Sequence, residues 1–311
     1  MRKMNKKGVF FTLLAIALLV LFLVTYSFAS VIKDRKPINR RIETMNSFVH
    51  SVEADLPRLL YISGFRTIFL VEKEILESGD YVSDLDSTVE ELFYNGSLGG
   101  VSEELMIGAN FSGIQDFVNS KAEKINADVV LDNPVLEVTQ DDPWNVRFSL
   151  TVDLLVVDEA GLVSWNRTQT INAYVPVENF EDPIYIVETS NLVTNKINKT
   201  SYFPFVNGSD VSNLSSHLSN SSYVESSLAP SFLQRLEGNF SASEYGIESL
   251  VYLPLLSSQG IPVEDKCIVD YIYFSDNNPS QLYRTDGMQS WFKLDDAHRS
   301  VYGVTNISYA V

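Results

Sequence analysis

The stretch "LDDAHRS" brings acidic and imidazole side chains closest together in this 311-residue sequence. It places Asp295, Asp296 and His298 within four positions. A carboxylate beside an imidazole can orient it for proton transfer, and both groups can bind a metal ion. His50 and His217 have no nucleophile and orienting acid beside them in the sequence. Because local grouping of this kind is common by chance, we predict neither a catalytic nor a metal site here.

Motifs of the common enzyme classes are not found in the sequence. It has no P-loop, no Gly-x-Ser-x-Gly nucleophile elbow and no His-Glu-x-x-His zinc motif. A glycosidase needs only two carboxylates at the right separation in space, and a sequence this acidic cannot reveal such a pair. We therefore predict a protein that is not an enzyme and needs no cofactor. An anchored hydrolase of cell-surface glycans stays open as an alternative.

Oxygen-rich segments and tryptophans are further candidates for binding. Asp80, Asp84 and Asp86 in "GDYVSDLDS" could bind calcium, as could "SDNNPS" at 275–280. Neither segment has the spacing of an EF-hand loop, so we expect solvated turns at both. Tryptophan rings can stack on sugars, although a place in the core or at its rim is the ordinary expectation for Trp144, Trp165 and Trp291.

Nine asparagines head Asn-x-Ser/Thr sequons, the acceptor motif for N-glycosylation. They are Asn95, Asn110, Asn166, Asn198, Asn207, Asn213, Asn220, Asn239 and Asn306. No sequon precedes Asn95, so the motifs are confined to the part of the chain that follows an apolar N-terminal stretch. A glycan must remain solvated on the protein surface. The distribution therefore predicts an exported, glycosylated C-terminal domain.

Cys267 is the single cysteine, and it lies in the apolar run "KCIVDYIYF". One cysteine cannot form an internal disulfide, which excludes a disulfide-rich scaffold and a cysteine-rich zinc site. A domain of this length can bury a sufficient core without disulfides, so export is still compatible with the sequence. We predict that Cys267 is a buried residue of a β-strand.

The charge of the chain is distributed unevenly. It has 23 Lys and Arg against 40 Asp and Glu, a net charge of −17. Nine of the bases and one of the acids lie in residues 1–41, which leaves 14 bases and 39 acids in the remainder. Basic flanks attract anionic lipid headgroups, whereas the acidic remainder is repelled by nucleic acid. The charge predicts membrane lipid as a partner and excludes nucleic acid.

An uncharged apolar stretch runs from Val9 to Phe28. As a helix it spans about 30 Å, the thickness of the hydrocarbon core of a bilayer. Basic residues lie on both sides of it, so the positive-inside rule alone does not set its orientation. Three hypotheses fit: a retained anchor, a pilus-type assembly helix, and a signal peptide cleaved after Ala29. The apolar core is longer than the roughly 7 to 15 residues of a signal peptide, which favours retention.

A helical pattern continues beyond the apolar stretch. Apolar residues recur at alternating steps of four and three, namely Ile38, Ile42, Met45, Val49, Val52, Leu56 and Leu59. Pro37 and Pro57 each lack a backbone donor, so we expect the helix to kink or restart there, with Asp55 as a cap. Gly79 should end the helical stretch, and "STVEELFYNGS" and "GIQDFVNSKAEKIN" predict two shorter helices.

The pattern changes to alternation after Asn126. Apolar residues stand at every second position from Val146 to Val156. A returning strand has Val163, Trp165, Ile171, Ala173 and Val175 on one face, and together they predict an antiparallel hairpin closed by "DEAG". The Ser- and Asn-rich residues 195–228 fit a glycosylated linker, or one short helix behind Asp210. Later segments, including "PSFLQRLEGNFSAS" and "CIVDYIYFS", predict strands.

These patterns together predict an α+β fold: a transmembrane helix that continues into extracellular helices, followed by an antiparallel β-sheet domain. The expected divisions are a basic cytoplasmic leader at 1–8, a transmembrane or assembly helix at 9–30, a membrane-proximal helical region at 31–126, an antiparallel β region at 127–194, a glycosylated Ser/Asn-rich segment at 195–228 and a C-terminal α+β lobe at 229–311.

The motif "KKGVFFTLL" resembles archaeal class III signal sequences and the N-termini of type IV pilin-like proteins. The resemblance implies that a membrane peptidase cuts between Gly8 and Val9, and that the apolar helix then packs into a filament core. One position differs. Typical bacterial pilins have a glutamate fifth after the cut, where this chain has Leu13. Beyond the motif, the likeness to uncharacterised archaeal surface proteins is one of architecture.

We therefore expect a single-pass cell-membrane protein with a cytoplasmic N-terminus and an extracellular domain. Its expected role is structural or adhesive, with other pilin-like subunits or cell-surface components as partners. A single-pass ligand-binding ectodomain is the near alternative.

Overall fold

The computed structural model describes residues 6–277 and 279–311, with the side chains of 8–27 and of the described residues from 38 onward. Its first element is a single helix, α1, that spans Lys6–Ser78, 73 residues. At about 1.5 Å per residue it is about 110 Å long. Gly79, with φ of 75°, ends α1 as predicted, because glycine adopts the left-handed conformation without steric cost.

The expected restart of α1 at its prolines is wrong, because the helix runs unbroken through position 37 and Pro57. A proline inside a helix costs about 3 kcal/mol. Met45, Val49, Val52 and Leu56 are buried on one face of α1, and each contributes roughly 1.5–3 kcal/mol. Their burial outweighs the cost of Pro57. Asp55 caps no restart.

A three-stranded antiparallel sheet packs against the second half of α1. Its strands, in spatial order, are β3 (Ala127–Asp142), β4 (Asn145–Asp158) and β5 (Ser164–Pro176). Leu150 of the central strand pairs with Leu136 on one side and Ile171 on the other. The predicted hairpin and its alternation are confirmed, since the inward side chains of the central strand are all buried: Val146, Phe148, Leu150, Val152, Leu154 and Val156.

The helix and the sheet approach closely at Gly64. A Cβ placed on Gly64 would lie 2.7 Å from Cδ2 of Phe148. Only a residue without a side chain allows this contact without displacing the Phe148 ring.

Within the described residues, short helices and short strands surround the unit formed by α1 and the three-stranded sheet. The α-helices after α1 are α2 Leu85–Glu90, α3 Phe111–Ala122, α4 Pro183–Glu188, α5 Ser212–Ser219, α6 Phe232–Leu236, α7 Leu253–Ser258, α8 Asp270–Tyr273 and α9 His298–Val301. The strands are β1 Ser97–Leu98, β2 Val101–Ser102, β3 Ala127–Asp142, β4 Asn145–Asp158, β5 Ser164–Pro176, β6 Tyr223–Glu225, β7 Ile247–Ser249, β8 Tyr283–Thr285, β9 Lys293–Leu294 and β10 Ser308–Ala310.

The two short helices predicted before the sheet are confirmed. One is α2, extended by a π-helical turn over Glu91–Asn95, and the other is α3, which packs on β3. A 3-10 turn at Glu104–Met106 precedes α3, and another at Glu123–Ile125 follows it.

The C-terminal part contains a second hydrophobic cluster. Two predicted strands are wrong there: α6 occupies the first segment, and α8 follows Cys267 in the second. Cys267 itself is buried, as predicted. Residues 195–228 are not a linker, because they contribute α5 and bury apolar side chains in the core, namely Ile197, Phe205, Leu214, Leu218 and Tyr223. The mixed α+β class is confirmed.

Candidate functional site

The apolar N-terminal part of α1 does not pack into the folded domain. Gly8–Ser27 is long and apolar enough to cross a membrane or to act as a signal sequence, and none of it is buried. Gly8, at the predicted cleavage site, has open space around it. The side chain of Val9 is 38% exposed and that of Phe22 is 72% exposed. Positions 1–5 of the predicted leader lie outside the described residues.

Eight of the nine sequon asparagines are exposed on the folded domain. The ninth, Asn110, is partly exposed because it caps α3, where its Oδ1 accepts a hydrogen bond from the backbone N–H of Gly113 at 3.0 Å. Asn166 lies on the outward face of β5, opposite the buried Ile171, Ala173 and Val175. The eight exposed asparagines are accessible to glycans, and the modification of all nine stays a prediction.

A groove, called the aromatic groove below, lies between α1 and the turn at 178–181. It has a volume of about 270 Å³ and is lined by Phe65, Phe69, Glu72, Glu178, Asn179, Phe180, Glu181 and Lys196. Phe65 and Phe69 are 41% and 44% exposed, which is high for phenylalanine side chains on a packed helix. The sequence gives no direct signal for this groove, because two phenylalanines four positions apart look like an ordinary core face.

Asp295 and His298 come together in the structure, as their spacing suggested. Asp295 Oδ1 accepts a hydrogen bond from the His298 backbone N–H at 3.1 Å and also contacts the His298 Nδ1 atom. On the other side of the ring, His298 Nε2 lies 2.9 Å from the hydroxyl of Tyr271 and 3.4 Å from Glu248 Oε2. Asp296 does not join them, because it is exposed and pairs with Arg299 at 2.7 Å.

The surroundings of His298 favour a buried ion-pair cluster over a catalytic centre. Its side chain is 3% exposed, and that of Glu248 is completely buried. Burial alone would lower the pKa of His298, but Asp295 and Glu248 raise it to about 10. An imidazolium held in this way is a poor base at neutral pH, because a general base must release its proton near the working pH.

The raised pKa of His298 predicts a stability that falls as the pH rises. Below an ordinary pKa of about 6.5 the imidazole is protonated in both folded and unfolded chains, whereas between pH 6.5 and 10 only the folded chain keeps the proton. We expect the free energy of unfolding to fall by about 1 kcal/mol between pH 7.5 and 8.5. Urea denaturation at both pH values measures this. A His298→Gln variant should lose most of the slope, and an equally steep slope in that variant would refute the assignment.

The other histidines lie apart from this cluster. His217 is fully buried, with its Nδ1 3.0 Å from the hydroxyl of Thr200, and burial lowers its pKa to about 4. It is a neutral core residue. The side chain of His50 is 69% exposed and lies 3.2 Å from Glu53 on the same helix.

One of the calcium candidates, Asp84, has a local structural role. Asp84 caps α2: its Oδ1 accepts from the Ser87 backbone N–H at 3.0 Å, and its Oδ2 accepts from the Ser87 hydroxyl at 2.7 Å. In the part of the chain that the structure describes, no group of three or more His, Cys, Asp or Glu side chains is placed to hold a metal ion. The segment 275–280 includes position 278, which lies outside the described residues. The tryptophans Trp144, Trp165 and Trp291 are all partly buried.

Comparison with protein-family models, with curated proteins and with solved structures gives no match for this chain.

Arg235 forms a buried charge cluster that sequence analysis missed. Its guanidinium is 0% exposed, and its Nη1 lies 2.6 Å from Asp182 Oδ2 and 3.0 Å from Asp270 Oδ2, with both carboxylates also fully buried. Burial lowers the pKa of Arg235, but the two carboxylates more than offset this and raise it above its ordinary value. A signal was present: Phe232, Arg235 and Leu236 share one helical face, which places the arginine among core residues.

Proposed function

We propose that this chain is a membrane-anchored, N-glycosylated, pilin-like structural or adhesive protein of the cell surface. The observation that carries the proposal is α1: one continuous helix joins an apolar N-terminal part, Gly8–Ser27, none of which is buried, to a later part that packs in the core of the folded domain. A helix whose apolar side chains are exposed all round requires lipid or neighbouring helices as its surroundings.

The packing of α1 supports this division of roles. Met45, Val49, Val52 and Leu56 are buried against the sheet and its covering helices, whereas no residue of Gly8–Ser27 is buried. The described structure thus combines an apolar stalk, Gly8–Ser27, with a helix-on-sheet head, which is formed by the buried part of α1 and the elements that follow it. This architecture agrees with the pilin-like resemblance of "KKGVFFTLL".

The surface chemistry supports an extracellular head and a cytoplasmic N-terminus. All nine sequons follow the stalk, and eight of their asparagines are exposed. The acidic head is repelled by anionic headgroups, so it is expected to stand away from the bilayer in solvent. Membrane lipid and neighbouring pilin-like subunits are the proposed partners of the stalk.

The buried carboxylates of Asp182 and Asp270 are not a glycosidase pair. Asp182 and Asp270 both face Arg235 and have no exposed surface, so neither can reach a glycan. A glycosidase requires two carboxyl groups that face a substrate across a cleft.

Mass spectrometry of the mature N-terminus tests the proposal. We expect a chain that starts at Val9, because the peptidase implied by the resemblance cuts after Gly8, and we expect the protein to accompany fibres sheared from intact cells. A Gly8→Phe variant should keep its leader and stay out of the sheared fraction. A wild-type chain that starts near Ser30 would mean a released protein, and an uncut chain absent from fibres would mean a simple anchor. Either result contradicts the pilin-like proposal.

A further inference from the structure

We propose that a glycan carried on Asn198 lies in the aromatic groove and covers Phe65 and Phe69. The inference rests on the glycosylation contained in the proposed function. It names the occupant of the groove as a covalent sugar chain of this same protein. The rings of the groove, its polar rim and the position of Asn198 each support it.

The rings of the groove form a firm apolar platform. Phe65 contacts Phe180 with ring centroids 5.4 Å apart, and Phe180 contacts Phe232 at 6.0 Å. Phe180 and Phe232 are buried, so the core supports the exposed ring of Phe65 from beneath. The C–H face of a sugar ring packs on the face of an aromatic ring, which gives the exposed phenylalanines a partner that is itself water-soluble.

The rim of the groove offers both donors and acceptors to sugar hydroxyls. Glu181 Oε2 is buried and has no hydrogen-bond partner among the described residues. A hydroxyl group could donate to it and remove the cost of an unsatisfied buried acceptor. Lys196 Nζ lies 3.9 Å from Glu181 Oε1, so the groove already contains its own cation. This mixture of charges favours a neutral polyhydroxyl ligand over a free organic cation.

Glu72 completes the floor of the groove. Its side chain is buried and accepts a hydrogen bond from the backbone N–H of Glu181. Burial raises the pKa of Glu72 to about 7. The floor therefore carries less negative charge than its carboxyl groups suggest.

The backbone places Asn198 at the rim of the groove. Residues 195–197 run antiparallel to 180–182: the Asp182 N–H donates to the Asn195 carbonyl at 2.7 Å, and the Ile197 N–H donates to the Phe180 carbonyl at 2.8 Å. Ile197 points into the core, whereas Lys196 and Asn198 on either side of it are exposed. Since Lys196 lines the groove, a sugar on Asn198 begins beside it. The covalent tether gives it a high local concentration there.

Hydroxyl-radical footprinting of the full glycosylated chain, read by mass spectrometry, tests the inference. We expect oxidation of Phe65 and Phe69 to rise several-fold in Asn198→Gln relative to wild type, because loss of the glycan exposes both rings. The matched control is Asn207→Gln, which removes another exposed sequon with no neighbouring residue among those that line the groove, and it should leave both yields unchanged. Substitution at Asn198 is preferable to Thr200→Ala, because the Thr200 hydroxyl contacts buried His217.

Two results would overturn the inference. One is equal oxidation of Phe65 and Phe69 in wild type and Asn198→Gln. The other is a glycopeptide map in which Asn198 is bare while other sequons are occupied. Neither result affects the proposed function, which the mature N-terminus and the sheared fibres test separately.

Discussion

Two arginines at the centre of the apolar stalk should release the protein from membranes. The change is Leu18→Arg with Leu21→Arg, both at exposed positions of α1. Each arginine near the centre of a span costs about 2.5–3.5 kcal/mol, so the pair costs about 5–7 kcal/mol. The apolar side chains of the stalk together favour insertion by only about 5 kcal/mol. The fraction of protein that resists carbonate extraction from membranes measures the effect, and we expect it to fall to near zero.

A Leu18→Ala, Leu21→Ala variant is the matched control. It removes the same side chains without adding charge and should stay in the membrane. The head should fold normally in both variants, because no residue of Gly8–Ser27 is buried against it. Membrane retention of the arginine variant would contradict a spanning stalk.

The elements that sequence analysis predicted correctly are long or strongly patterned. The alternation along β4 continues over 14 residues, so one buried face can be read without knowing what covers it. Gly79 marked the end of α1, because a left-handed residue stops a helix wherever it stands. These signals are local, and tertiary packing did not override them.

The incorrect predictions have physical causes in packing. The run at Cys267–Tyr273 is buried on all sides, and such a run shows no period that separates a strand from a short helix. Pro57 suggested a break in α1, but the sheet that packs against the continuous helix is supplied by residues far along the chain.

The sites were less predictable than the fold. The nine sequons are visible as motifs, and Asp295 with His298 were found by their spacing. The aromatic groove escaped notice because it joins α1 to Phe180 and Lys196, which are distant in sequence. Which phenylalanines stay exposed depends on that long-range contact, and no local pattern encodes it.

Replacing Arg235 by methionine should greatly reduce the free energy of unfolding of the domain. The Arg235 guanidinium links α4 and α8, because Asp182 immediately precedes α4 and Asp270 is the first residue of α8. It also donates to the carbonyl of Ile247 on β7. Removing one partner of a buried ion pair costs about 3–5 kcal/mol, because the remaining charge stays buried without compensation. Here two carboxylates would be left facing each other.

Urea denaturation of wild type and Arg235→Met measures the loss, and we expect a lower midpoint with a free energy of unfolding reduced by about 3–5 kcal/mol. Lys73→Met is the matched control. Lys73 is 42% exposed and lies 3.9 Å from Glu77 and 3.7 Å from Glu103. Exposed pairs contribute about 0–1 kcal/mol, so this variant should stay close to wild type. Equal effects of the two substitutions would mean that burial of Arg235 adds nothing to its ion pairs. A large difference would show that the buried contacts of Arg235 with Asp182, Asp270 and Ile247 stabilise the head.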